Sequence, residues 1–145
     1  MKITVEKLRE LNACDSGIEY FKSKHSDAVE LIDLIREDIA TNYWRILNYA
    51  SWLIQRCMTH EQHIDYIIYS AELALPEYEE KYPNEPHVYN CRRAIKDFRD
   101  GKITKEELLV AVYGIEQTAD DITGINATII KILQYGITLL EAENE

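Results

Sequence analysis

From Leu108 to Leu140 the apolar residues fall at alternating four- and three-residue steps, through Leu108, Val112, Ile115, Ala119, Ile122, Asn126, Ile129, Leu133, Gly136 and Leu140. Only a helix gathers such positions onto one stripe, and so regular a stripe is a coiled-coil-like seam. A single helix of about 36 residues would extend roughly 54 Å, an overhang for a domain of this size. Asp120, Asp121 and Gly124 lower helix propensity in the middle of the stretch, which predicts two helices broken near Asp120. The seam can close within the chain or pair two chains as a homodimer. Asn126 within it reads as a polar residue that sets register.

The same period runs through the rest of the chain. Thr4 caps a short helix to about Leu11, with Val5, Leu8 and Leu11 inward. Ser16 and Glu19 form a capping box for a second helix, with Ile18, Phe21 and Tyr20 inward. Ser26 is placed to cap a longer helix through Ala40, whose stripe is Val29, Ile32, Ile35 and Ile39. Thr41 or Asn42 starts a helix to about Met58, the most aromatic part of the chain, with Tyr43, Trp44, Tyr49 and Trp52. Thr59 and Gln62 box a helix from His60, whose face is Ile64, Ile67, Ile68, Ala71, Leu75, Tyr78 and Tyr82. Pro76 inside that run predicts a kink or short break near Glu72. The turn from Tyr82 to Pro86 leads into a helix carrying Val88, Ile95 and Phe98, which Gly101 ends in a left-handed conformation. Thr104 and Glu107 box the next start.

These elements predict an all-α fold, a compact single-domain bundle of six to eight helices over residues 1–145. Its segments are 1–41, 42–101 and 102–145. A chain of 145 residues is long enough to bury a core without disulfides or metals. The net charge of −10 disfavours direct binding to nucleic acid or to an anionic membrane surface, both of which need clustered positive charge. Cys14, Cys57 and Cys91, an odd number without paired spacing, suit a reducing cytoplasm. No uncharged run approaches the length of a spanning helix.

No catalytic or cofactor motif stands out, and no cofactor is expected. His60 and His63, beside Glu61 and Asp65, resemble part of a metal site but lack the spacing of a His-Glu-x-x-His motif, and the plainer reading is two polar residues at a helix start. Cys57, one turn before His60, suggests a thiolate and base, yet small apolar-face cysteines are commonly buried. Arg92, Arg93, Lys96 and Arg99 form a basic stripe, either an anion or partner site or a face paired with Glu72, Glu79 and Glu80. Acidic residues from Asp27 to Asp38 and from Glu77 to Glu85 read as solvated faces. Trp44, Trp52 and Tyr82 are candidate partner-binding aromatics.

The order Tyr69, Ala71, Glu72, Leu75, Tyr78, Glu79, then Tyr82-Pro83, then Arg93-Ala94-Ile95, Phe98, Gly101 and Ile103-Thr104 resembles the helical Imm-5-like immunity protein family. There an Ala-Glu pair, a Phe-Glu or Tyr-Glu step and a Pro-x-x-x-Arg-Pro-Arg-x-Ala-Ile turn recur in this order. The resemblance covers Trp52 to Thr104; the segment from Pro83 to Arg93 is longer here, and Arg92-Arg93 stands for only part of the Arg-Pro-Arg. Leu8 to Cys14, followed by Gly17, Ile18 and Phe21, is similar to the start of small phage-encoded proteins. The resemblance implies a protein that neutralises a partner. The expectation is therefore a cytoplasmic, non-enzymatic protein-binding inhibitor of the immunity or phage anti-defence kind. Two alternatives are a small anionic-ligand-binding protein or enzyme with an inter-helix pocket, using Arg92, Arg93 and His63, and an acidic mimic of nucleic acid.

Overall fold

A computed structural model describes residues 1–116 and 125–142. In chain order these form β1 (Lys2–Ile3), α1 (Val5–Glu10), α2 (Asp15–Lys24), β2 (Val29–Glu30), α3 (Leu31–Thr41), α4 (Trp44–Arg56), α5 (His60–Lys81), α6 (Pro86–Arg99), α7 (Lys105–Glu116) and α8 (Ile125–Ala142). Apart from the two short strands the fold is helical, as the three- and four-residue spacing predicts. Backbone contacts divide it into two compact units, Met1–Met58 with Leu133–Glu145, and Thr59–Ile132.

In the first unit β1 and β2 pair antiparallel, Lys2 opposite Glu30 and Ile3 opposite Val29, and the Leu31 amide donates to the Met1 carbonyl at 2.9 Å. This ladder corrects the expected helix from Ser26. Val29 is taken by strand pairing, a tertiary contact that overrides local capping, and the helix begins only at Leu31. Its buried residues are therefore Leu31, Leu34, Ile35 and Asp38, with Ile32 and Ile39 at the margins. Asp38 thus lies inside rather than on the solvated acidic face.

Other starts shift for similar reasons. Thr4 caps α1 as expected, its Oγ1 accepting from the Lys7 amide at 3.0 Å. Ser16 lies inside α2 rather than capping it, because Cys14 holds the extended cap conformation and no side-chain bond closes there. Asn42 does not start α4; it ends α3 in a left-handed conformation, φ 49°, and Tyr43 takes the cap of α4. An asparagine is among the few residues that adopt this conformation readily. Ile3, Leu8, Ile18, Phe21, Leu47, Ile54 and Leu133 are among the buried core.

In the second unit the punctuation read from the sequence holds closely. The Thr59 amide donates to Gln62 Oε1 at 3.0 Å and the Gln62 amide to Thr59 Oγ1 at 3.2 Å. Thr104 and Glu107 repeat the reciprocal pair at 3.3 and 3.2 Å. Pro76 does not break α5, which runs continuously from His60 to Lys81. Ala71, Leu75 and Tyr78 are buried on either side of Pro76, and that packing holds the helix through the lost hydrogen bond. The core joins Ile67, Ile68, Ala71, Leu75 and Tyr78 of α5 to Val88, Cys91 and Ile95 of α6 and Leu108 and Val112 of α7.

The seam is partly visible. Leu108, Val112, Leu133 and Gly136 are buried, and Ile129 and Leu140 half-buried. The expected break near Asp120, and the contributions of Ile115, Ala119 and Ile122, lie outside the described residues. No described helix is long and apolar enough to cross a membrane.

Gly101 closes α6 at φ 74°, with its own amide donating to the Phe98 carbonyl at 3.0 Å and the Lys102 amide to the Asp97 carbonyl at 2.8 Å. An added Cβ would meet nothing within 4 Å, so any penalty is in the backbone alone. Gly101→Ala is expected to lower unfolding free energy by about 1 kcal/mol and Gly101→Asn by less, measured by denaturant titration. Equal losses in the two variants would contradict a left-handed cause.

Candidate functional site

The basic stripe is tied to the acidic face of α5. Arg92 pairs with Glu79 at 2.7 Å, Arg99 pairs with Glu72, and Arg93 lies 3.8 Å from Asp97 one turn along α6. All of these arginines are exposed, so each pair contributes little in water. Lys96 is exposed on the same helix. His60 is exposed at the first position of α5, its Nδ1 3.4 Å from Lys105 Nζ, and His63 is half-buried. Among the described residues no group of three or more His, Cys, Asp or Glu is placed to hold a metal ion. Cys57 is half-buried, and burial raises its thiol pKa.

The candidate aromatics divide into three settings. Tyr82 is half-buried, its ring 5.1 Å from Tyr78 and 5.6 Å from the Lys81 ammonium. Tyr43 and Trp44 stand side by side at the start of α4, their ring centroids 6.1 Å apart and their surfaces 48% and 50% exposed. The Arg45 guanidinium lies 5.4 Å from the Trp44 ring. Trp52, two turns further along α4, is half-buried with Arg56 over its ring at 5.3 Å.

Trp52 forms part of a cleft of about 280 Å³ within the first unit. Leu8, Phe21, Leu34, Leu53, Tyr20 and Tyr49 give it a largely apolar and aromatic wall. The polar groups are few. Cys14 Sγ lies 3.4 Å from Ser16 Oγ, which accepts from the Tyr49 hydroxyl at 2.8 Å. The Ser16 contact and the Gly17 amide lower the Cys14 thiol pKa. His25 Nε2 lies 3.0 Å from Glu37 Oε1. Asp38 is 5% exposed, and its Oδ1 has no hydrogen-bond partner among the described residues.

Burial, and secondarily the negative charge of Glu37, raise the Asp38 carboxyl to about 7. Burial and the charges of Asp38 and Glu37 raise the Tyr20 hydroxyl as well. Among the described residues no lysine or arginine lines the cleft. An uncompensated carboxyl in an apolar wall is the arrangement that recruits a proton or an external cation. The expected stripe of Val29, Ile32, Ile35 and Ile39 leaves Asp38 on the wet face, whereas the buried stripe of α3 is Leu31, Leu34, Ile35 and Asp38. The signal was there in the i, i+3, i+4, i+7 series Leu31, Leu34, Ile35, Asp38.

Comparison with protein-family models, with curated proteins and with solved structures yields no match.

The folded state holds the Asp38 proton more tightly than the unfolded chain does, so the contribution of this one group to stability is greatest below about pH 4. It should fall as pH rises through about 7, by at most about 4 kcal/mol, and then level off. Asp38→Asn should remove this component and leave the variant more stable than the native chain at pH 8. Chemical unfolding across that range checks it, and an unchanged pH profile in the variant would exclude Asp38 as the source.

Proposed function

We propose that the protein acts by binding another protein, as a non-enzymatic inhibitor or neutraliser of the immunity or phage anti-defence kind, in the cytoplasm of a bacterial or phage-infected cell. The observation that carries this reading is the exposed Tyr43–Trp44 pair with Arg45 beside it. Tyrosine, tryptophan and arginine are the residues that most often anchor protein interfaces; the two aromatics cover large areas while losing few rotamers. The net charge of −10 supports a partner with a basic surface around that anchor, since long-range attraction would speed the encounter. Free Cys14, Cys57 and Cys91 are consistent with a reducing compartment. The immunity and anti-defence description rests on the sequence resemblance.

The charge also favours a second reading, an acidic surface that occupies a nucleic-acid groove on its partner. Salt separates the two. A mimic loses affinity steeply with ionic strength, whereas an aromatic anchor persists. The arginine-centred ligand site has less support, because Arg92 and Arg99 already face carboxylates.

The test is affinity capture from a bacterial lysate, followed by titration of the captured protein after purification. Tyr43→Ala with Trp44→Ala should weaken binding at least about a hundredfold, as expected for two anchors of about 2 kcal/mol each with partial non-additivity. Arg92→Ala with Arg93→Ala should leave it within a few fold. Unchanged affinity in the aromatic variant would refute the anchor, and collapse of affinity in moderate salt would favour the mimic.

A further inference from the structure

We infer that the cleft between α1, α2, α3 and α4 is a binding site for a small organic amine, whose ammonium group meets the Asp38 carboxylate while its apolar body lies among Phe21, Leu34 and Trp52. This goes beyond partner binding at Tyr43 and Trp44 and does not depend on it. The cleft offers about 280 Å³, room for a molecule of one or two rings. Its wall is apolar and aromatic, which suits a hydrocarbon body. The Oδ1 atom of Asp38 is buried and lacks a partner among the described residues, so it is an acceptor that the fold leaves open.

The sign of the ligand follows from the charges that face Asp38. Glu37 on the same helix adds a second negative charge, and Tyr20 on α2 feels both carboxylates. His25, at the end of α2, is engaged with Glu37 at 3.0 Å, and Cys14 is an acid rather than a cation. Tyr49 on α4 donates to Ser16, and the lining residues of α1, Leu8 with Asn12 and Ala13 after it, carry no charge. A cation entering this site neutralises a carboxylate that otherwise holds a proton, and it gains the attraction of a buried site rather than of open water. The aromatic ring of Tyr20 adds to the same preference.

Binding and proton loss are therefore coupled. The amine selects ionised Asp38, so affinity rises with pH until the carboxyl is fully ionised. From pH 5.5 to 7.5 the gain is roughly twenty-fold, for a carboxyl at about 7.

The experiment uses the full chain and three probes, tryptamine, phenethylamine and cyclohexylamine, with 3-ethylindole as the neutral counterpart of tryptamine. Affinity is measured by calorimetry or by ligand-detected NMR at pH 5.5 and 7.5. At least one amine should bind at pH 7.5, weaken roughly twenty-fold at pH 5.5 and outbind its neutral counterpart. Asp38→Asn should remove both the binding advantage and its pH dependence while circular dichroism remains native. Gly17→Leu should block the site with Asp38 intact, since an added Cβ lies 3.7 Å from Tyr49 Cδ1 and 3.4 Å from Cys14 Sγ. Failure of all three amines to bind at millimolar concentration overturns the proposal. So does equal binding of 3-ethylindole, or an affinity that Asp38→Asn leaves unchanged.

Discussion

The ladder between Lys2–Ile3 and Val29–Glu30 consists of very few hydrogen bonds, yet the first unit takes its register from it. By holding Val29 in extended pairing it postpones α3 to Leu31. A helix beginning there turns Leu31, Leu34 and Ile35 inward, and the next position on that stripe is Asp38. Of the four residues that make the ladder only Ile3 and Val29 are β-formers. Their consequence is a carboxyl group in the wall of an apolar cleft, which no local preference of Asp38 would have produced.

This explains which parts of the fold can be read along the chain. The second unit is bounded by features that act within four residues of themselves. The Thr59–Gln62 and Thr104–Glu107 boxes, Pro86 at the start of α6 and Gly101 after its end each satisfy or remove a backbone group locally. Such signals survive without knowledge of tertiary contacts. In the first unit the deciding contact joins residues 26 positions apart, Ile3 and Val29, and it overrides the hydroxyl of Ser26. Asn42, expected as a helix start, ends α3 in a left-handed conformation instead, because asparagine serves both purposes. Pro76 shows the reverse case, a local breaker outweighed by packing at Leu75 and Tyr78.

The same distinction applies to the candidate sites. The basic stripe was legible as composition, but its meaning depended on where the carboxylates of α5 would fall. Glu79 lies opposite Arg92 and Glu72 opposite Arg99, so these two arginines reach across to α5 while Arg93 turns to Asp97 of its own helix. Trp44 and Trp52 looked equivalent along the sequence. Their separation by two turns leaves one half-exposed beside Tyr43 and sets the other into the cleft wall.

Asp38 is the point at which stability and function separate. A leucine or asparagine there would continue the stripe without an ionisable group, so the carboxyl is not what holds α3 in place. Its raised pKa means that near neutrality the fold carries a mixture of protonated and ionised forms. Domains of this size are stable by only about 5–15 kcal/mol, so even part of the cost of ionising a buried acid is a substantial fraction. Among the described residues no arginine or lysine lines the cleft to relieve that cost. A raised carboxyl of this kind meets the cost by keeping its proton near neutrality, and at the proposed amine site an entering cation would compete with that proton for the same carboxylate.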